Sequence, residues 1–363
     1  MREFERGLQR RWEQIWQRCK AKNLNVLPED QAQVYRQQIF MGGLVMFAQP
    51  VVDLRTGTVR SVEALARLRM PDGTIVAPGS FLPLLGYAEL DHVFRQGLDQ
   101  ALKWLITWNA QELALDVSIN LSPSTLFNPD CPAWVDGALR HHGLAPHRLS
   151  IELLETETVD STTQRESIEQ LSHLGVRLAM DDLGSGYSSL ERLSTLPFDV
   201  IKIDQSLVAT MYKSPIYVLS FVGALIQLGR DLEREVVVEG LEDEAMVEAV
   251  AILGAPFGQG YGLSRPMPPD AVPEWVRGFR LPIQSGHTRT ALGALAYHWQ
   301  FTHLGDPHHP VTDLERCPMT QFLQEHAPQD NDAAKWHARV HSETGDEEAS
   351  RLLTQWLLRK ICL

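Results

Sequence analysis

The spacing of apolar residues changes character twice along the chain. Near the start, Phe4, Leu8, Trp12, Ile15, Trp16 and Cys19 recur at helical intervals and form one apolar stripe. That stripe suits either packing on a larger domain or pairing with a second copy. A further helix is predicted over 30–40, ahead of Gly42-Gly43. From Gly43, short β-rich runs alternate with longer stretches of helical period. Strands are predicted to end near Glu63, Asn120, Glu152, Asp181, Asp204 and Glu239, with helices over 91–109, 162–174, 215–229 and 243–253. Regular alternation over roughly 240 residues predicts a TIM-like (β/α)8 barrel. The opening runs, 44–52 and 58–62 about Arg55-Thr56-Gly57, read as a hairpin, so the first strand is expected to be antiparallel. After Pro268 the composition shifts, and Ser285-Gly286 reads as a linker. From Thr288 the pattern is helical and rich in His and Trp, which predicts a small all-α C-terminal unit. The expected division is a helical segment over 1–40, the barrel domain over 41–284 and a helical domain over 285–363.

Charge narrows the partners. The 363 residues carry a formal net charge of -13, and 44% are hydrophobic, enough for a sizeable core. The acidity is concentrated in the barrel segment, while the first forty residues are net basic. An acidic barrel argues against binding a nucleic-acid polymer. It fits carboxylates gathered for cations, or a merely solvated surface. Cys19, Cys131, Cys317 and Cys362 are far apart and show no disulfide spacing. The start, 1–22, is strongly charged and unlike a signal peptide. The longest apolar run, 216–228, is too short for a membrane span. These features lead to the expectation of a cytoplasmic protein with no membrane partner.

The chemistry shows where polar residues interrupt apolar strands. Glu63, Asn120, Glu152, Asp181-Asp182, Lys202, Asp204 and Glu239 fall at successive predicted strand ends. In a parallel barrel those ends share one mouth. Carboxylates crowded there repel one another, and divalent cations relieve the repulsion. A donor set of oxygens alone favours Mg²⁺ or Mn²⁺ over zinc. The adjacent Asp181-Asp182 pair suits a bridge between two ions roughly 3.5–4 Å apart, as in phosphoester hydrolysis. Any one of these acids taken alone is more often a helix cap or an ion-pair partner; the series is what carries weight. The Gly184-Ser185-Gly186 loop and Arg67 are consistent with a phosphate substrate.

These residues resemble the EAL domain family of cyclic di-GMP phosphodiesterases over about 44–268. The resemblance rests on Glu63-Ala64-Leu65 with Arg67, Asn120-Leu121-Ser122, Glu152-Leu153-Leu154-Glu155 and Asp181-Asp182-Leu183-Gly184-Ser185-Gly186-Tyr187-Ser188-Ser189-Leu190. Ile201-Lys202-Ile203-Asp204, Val238-Glu239-Gly240 and Gln259-Gly260-Tyr261 complete it. It implies Glu63, Asn120, Glu152 and Asp181 as ligands of one metal. It implies Asp181 and Asp182, with Glu239 nearby, as ligands of a second. Lys202 is implied to hold the attacking water with Asp204 orienting it, and Glu155 to fix the Gly-Ser loop. Gln49, Leu65, Arg67, Asp204 and Gln259 are implied as substrate contacts. The departures are Leu154 and Leu183, neither of them a ligand. The implied reaction is two-metal hydrolysis of cyclic di-GMP to linear 5′-pGpG; separately, a homodimer is expected. A catalytically silent receptor using the same pocket is one alternative. A class I aldolase with Lys202 as Schiff base is another, though it needs no such ring of acids.

In the C-terminal segment, His337 and His341 stand at i, i+4 on one helix face. With His298 and Cys317 they give three imidazoles and a thiolate, a set suited to Zn²⁺. The pattern partly resembles the chemoreceptor zinc-binding domain over 288–345, with shorter intervals between ligands. Eight of the 13 histidines lie here, so a bundle whose His and Trp only pack is the competing reading.

Overall fold

The computed structural model describes residues 29–154, 162–183, 189–283, 286–303, 314–342 and 346–361. The apolar stripe of the first residues, Glu155 and the Gly-Ser loop after Leu183 lie outside them. The chain divides into two units, Met1–Val45 with Arg67–Gly86 and Met46–Ala66 with Tyr87–Leu363.

In the first unit, helix α1 (Glu29–Gln38) runs into a π-helical turn, Ile39–Gly43. The turn needs Gly42, whose φ of 86° lies in the left-handed region. Gln38 Nε2 donates to the Arg69 carbonyl at 2.9 Å, and Arg36 Nε to the Leu84 carbonyl at 2.8 Å.

The second unit holds most of a closed barrel, whose first two strands each begin or end with a few residues of the first unit, to which the short third strand also belongs. Its strands are β1 (Leu44–Asp53), β2 (Val59–Arg69), β4 (Asp116–Leu121), β5 (Leu149–Leu154), β6 (Arg177–Leu183), β7 (Val200–Ile203), β8 (Glu235–Val238) and β9 (Phe257–Gly258). The short β3 (Ile75–Val76) pairs with the end of β2. Strands β2 and β4 to β9 are parallel, while β1 pairs antiparallel with β9 and also borders β2, which closes the ring. This is the expected (β/α)8 barrel with a reversed first strand. Two details differ from the sequence expectation. Strand β2 does not end at Glu63 but runs on to Arg69, its last two residues pairing with β3. Strand β9 has two residues, too few to show any periodicity.

Around the strands lie α2 (Tyr87–Asn109), α3 (Cys131–His142), α4 (Thr162–His173), α5 (Ser189–Thr195), α6 (Pro215–Asp231), α7 (Glu244–Ile252) and α8 (Val272–Gly278). Their apolar faces meet the outward side chains of the strands in one continuous core. All four residues of β7 are buried, as expected for a parallel strand covered on both faces.

The last segment is all α: α9 (Ala291–His303), α10 (Pro318–His326), α11 (Asn331–Ser342) and α12 (Glu347–Ile361). Every residue from Leu292 to Trp299 is buried, since α9 is sandwiched between α7 of the barrel and α12. The helical segment is therefore packed on the barrel as part of the same unit. Glu248 of α7 fastens it. Its carboxylate accepts from the Arg289 and Thr290 amides at 2.8 and 2.9 Å and from Thr290 Oγ1 at 2.6 Å, capping α9 from another helix. No helix among the described residues is long and apolar enough to cross a membrane.

Candidate active site

Side chains alternate along each strand, so residues two apart share a face. This places Asn120, Glu152, Asp181 and Lys202 on the inner face toward the carboxyl ends of β4, β5, β6 and β7, with Glu63 midway along β2 and Glu239 directly after β8. Asp182 is different. On a regular strand it would face away from Asp181. Here the β6–β7 register shifts between Met180 and Leu183, and Asp182 adopts φ 61°. A left-handed non-glycine residue costs on the order of 1–3 kcal/mol. As a result, carboxylate oxygens of Asp181, Asp182 and Glu239 all lie within 4.8 Å of one another.

Lys202 is the centre of the cluster. Its Nζ is 2.6 Å from Glu239, 2.7 Å from Glu152 and 3.3 Å from both Glu63 and Asp181, and its side chain is only 3% exposed. Burial alone would drive off its charge, but the four carboxylates hold its pKa well above the usual lysine value. Glu63 also accepts from Asn120 Nδ2 at 2.6 Å and from Gln259 Nε2 at 2.7 Å. With Lys202, these donors outweigh its burial and keep its carboxyl below the usual range.

The remaining acids cannot all be ionised around one ammonium. Burial, then repulsion from Glu63, raises Glu152 well above its ordinary value. Burial, followed by Asp181 and Glu63, pushes Glu239 up to about 8 against the pull of Lys202. Burial, Asp181 and a hydrogen bond with Asp204 push Asp182 up to about 7. Asp181 is raised as well, chiefly by burial. Gln259 Oε1 is buried without a hydrogen bond, and Asp181 Oδ1 has the Lys202 ammonium 3.3 Å away. Crowded oxygen donors, carboxyls forced to keep protons and an unsatisfied acceptor together fit a site for divalent cations.

The structure places the other expected residues with varying directness. Gln49 is buried and donates to the Ser264 carbonyl at 3.2 Å, a partner for which the sequence carries no signal. Asp204 is buried and caps the following turn through the Ser206 amide. Leu65 lies two residues beyond Glu63 on the same face of β2 and is half-buried. Arg67 stands further along β2, in the first unit.

A second cluster lies in the helical segment. Donor atoms of Cys317, His337 and His341 all lie within 4.8 Å of one another. His337 Nδ1 is 3.5 Å from Thr320 Oγ1, whose own hydrogen goes to the Leu314 carbonyl. Thr320 must then accept from Nδ1–H, which leaves His337 Nε2 as a lone pair, buried and without a partner. Burial pushes His337 down to about 3 and His298 down to about 4, so both imidazoles are neutral. His298 is not part of this group. Its Nε2 faces Ser350, 3.1 Å from Oγ.

A family model described as EAL domain matches residues 32–266. The chain is 33% identical over 252 residues to the bifunctional diguanylate cyclase/cyclic di-GMP phosphodiesterase MucR of Pseudomonas aeruginosa, covering 68% of this chain and 37% of that protein. It is 36% identical over 247 residues to an uncharacterized signaling protein of Caulobacter vibrioides, covering 66% of this chain and 30% of the relative. The chain thus spans about a third of the length of these curated relatives. Among solved structures, it is similar to the PaMucR phosphodiesterase in complex with c-di-GMP. That match has 34% identity and a TM-score of 0.62, over 65% of this chain and 97% of the other. The EAL enzyme Bd1971, bound to cAMP and cyclic di-GMP, matches at 25% identity with a TM-score of 0.63 over 74% of this chain and 75% of its own.

Proposed function

The chain belongs to the EAL domain family, and from that premise we propose that it hydrolyses cyclic di-GMP to linear 5′-pGpG. The observation that carries this reading is the intact oxygen-donor set around Lys202. Glu63, Asn120, Glu152 and Asp181 would hold one Mg²⁺ or Mn²⁺, and Asp181, Asp182 and Glu239 a second. Bound there, the ions supply charge neutralisation and an acidified water. The protein's own part is positional. Lys202, pinned by four carboxylates, donates a hydrogen bond that orients the attacking water. Glu239, whose carboxylate lies 2.6 Å from Lys202 Nζ, would accept the water's proton. The water oxygen bonds to phosphorus as the bond to the 3′ oxygen breaks, that oxygen takes a proton from solvent, and Glu239 gives its proton back to solvent. Leu65, Arg67, Asp204, Gln49 and Gln259 are read as substrate contacts and Glu155 as the residue that fixes the neighbouring loop. The test is incubation with cyclic di-GMP and Mg²⁺ or Mn²⁺, with and without chelator, followed by product analysis. Linear pGpG formed only with free metal is expected. Tight binding with no product would favour a silent receptor instead.

A second reading concerns the helical segment. The buried, unpartnered Nε2 of His337 beside Cys317 and His341 supports a Zn²⁺ site, with His298 as fourth ligand after turning from Ser350. Metal analysis of untagged protein is expected to give one zinc, lost in Cys317→Ser and His337→Ala; no zinc after loading and dialysis would refute it. The division at 41–284 and 285–363 is read as the barrel and this sensing segment. The free, buried thiols of Cys131 and Cys317 support a reducing, cytoplasmic setting. The exposed stacked rings of Tyr217 and Phe221 on α6 support a homodimer, which light scattering would test.

A further inference from the structure

Directly beneath the charged layer lies a second inward layer, two residues earlier on each strand: Ser61, Ser118, Ser150, Ala179, Val200 and Val237. Such layers in parallel barrels are commonly filled by bulky branched side chains. Here one side is filled, by the cluster of Val51, Ala179, Val200, Val237 and Phe257. On the other side, β2, β4 and β5 each contribute a serine, and Ser118 and Ser150 stand at paired positions in the β4–β5 register. The small side chains leave a cavity of about 40 Å³, bordered by Ser61, Ser118, Ser150, Glu152 and Lys202. Ser150 Oγ is buried there and makes no hydrogen bond to the protein. At the far end the cavity reaches Arg60, Asp116, Arg177 and Glu235, paired as Arg60–Asp116 at 2.6 Å and Arg177–Glu235 at 2.7 Å.

We propose that this serine face is a hydration site, holding a small water cluster between the charged layer of Glu152 and Lys202 and the ion pairs of the opposite mouth. Three considerations converge. A buried hydroxyl without a partner forfeits the hydrogen bonds it made in the unfolded chain, and a water restores them. A water needs a space of about 10–15 Å³, so the cavity accommodates roughly three. Water also needs two to four polar partners, and the three serines and Glu152 provide them. Wholly apolar cavities of this size stay dry; this one is polar on one side. The cluster gives the buried charges a hydrogen-bonding neighbour on the side away from the outer mouth. It can exchange with solvent past the Arg60–Asp116 and Arg177–Glu235 pairs, whatever covers that mouth. Where it touches function, the inference rests on the reading of Lys202 as catalytic; the water site itself does not.

The experiment is to count long-lived internal waters by magnetic relaxation dispersion in the metal-free, full-length protein. Ser118→Val/Ser150→Val, which fills the cavity with methyl groups, is expected to lose two or three long-lived waters relative to the unmodified protein. Ser150→Ala, too small to clash, is expected to lose one. Equal counts in the unmodified protein and in Ser150→Ala overturn the proposal, whether or not the double variant folds. The count needs no substrate. A lost water in a protein that hydrolyses nothing upholds the hydration site and sinks the phosphodiesterase reading, while turnover with unchanged counts does the reverse.

Discussion

At the scale of single residues, Lys202 and Asp182 decide what the barrel mouth can do. Four carboxylates converge on one ammonium, so Lys202→Ala leaves several buried acids without their counter-charge. Removing one partner of a buried ion cluster costs about 3–5 kcal/mol. We expect Lys202→Ala to melt well below the unmodified protein when metal-free, to recover part of that loss with Mn²⁺, and to bind cyclic di-GMP while turning over poorly. Thermal unfolding with and without Mn²⁺, beside single-turnover kinetics, checks this; an unchanged kcat would refute the role given to Lys202. The raised carboxyls give a second expectation. Glu239, held at about 8, and Asp182, at about 7, carry protons at lower pH. A cation must displace those protons, so metal binding should tighten as pH rises through about 7 to 8, with proton release. Titration calorimetry in two buffers of different ionisation enthalpy measures that release. The same shifts set the stability of the metal-free protein. The folded state keeps protons that the unfolded chain has lost above its ordinary carboxylate range, so stability from these two groups falls as pH rises toward 8. Most of this cluster was legible from acids recurring at strand ends. The Asp181-Asp182 pair was legible as well, but not the backbone that lets both serve: period-two alternation places Asp182 opposite Asp181, and only the left-handed bulge brings it round.

At the scale of elements, the joint between α7 and α9 is the feature with the sharpest consequence. Glu248 is 2% exposed and its carboxylate is committed to three donors at the start of α9. Glu248→Ala would leave those donors buried and unpaired, at a cost of about 2–4 kcal/mol. Gly293→Ala should be harmful for the same reason. An added Cβ would stand 2.0 Å from Glu248 Oε2, and that oxygen cannot swing aside without breaking its hydrogen bonds. A loss of about 1–3 kcal/mol is expected. Calorimetric unfolding of both variants checks this; wild-type melting would show that the joint is slack. The sequence pointed to both partners' helices but not to their union. A lone glutamate in a helical stretch carries no mark of a cap supplied to another helix. The helix periods over 215–229 and 243–253 were readable to within two residues, whereas β9 was not, since two residues carry no period.

At the scale of the whole molecule, the reversed first strand sets a timetable for synthesis. Val52 pairs with Gly258 and Asp53 with Phe257, so the ring closes only when nearly its entire length exists. At roughly 5–20 residues per second on the ribosome, β1 must wait on the order of ten seconds or more for that partner. Throughout that interval it is an apolar nascent strand, Leu44-Val45-Met46-Phe47, with an open edge. Pro50 sits within it and cannot donate a backbone hydrogen bond. Pro50→Val should therefore depress the soluble yield during expression far more than it lowers the melting temperature of molecules that do mature. Comparing soluble fraction with melting temperature for that variant would show whether the strand made first is guarded for the wait.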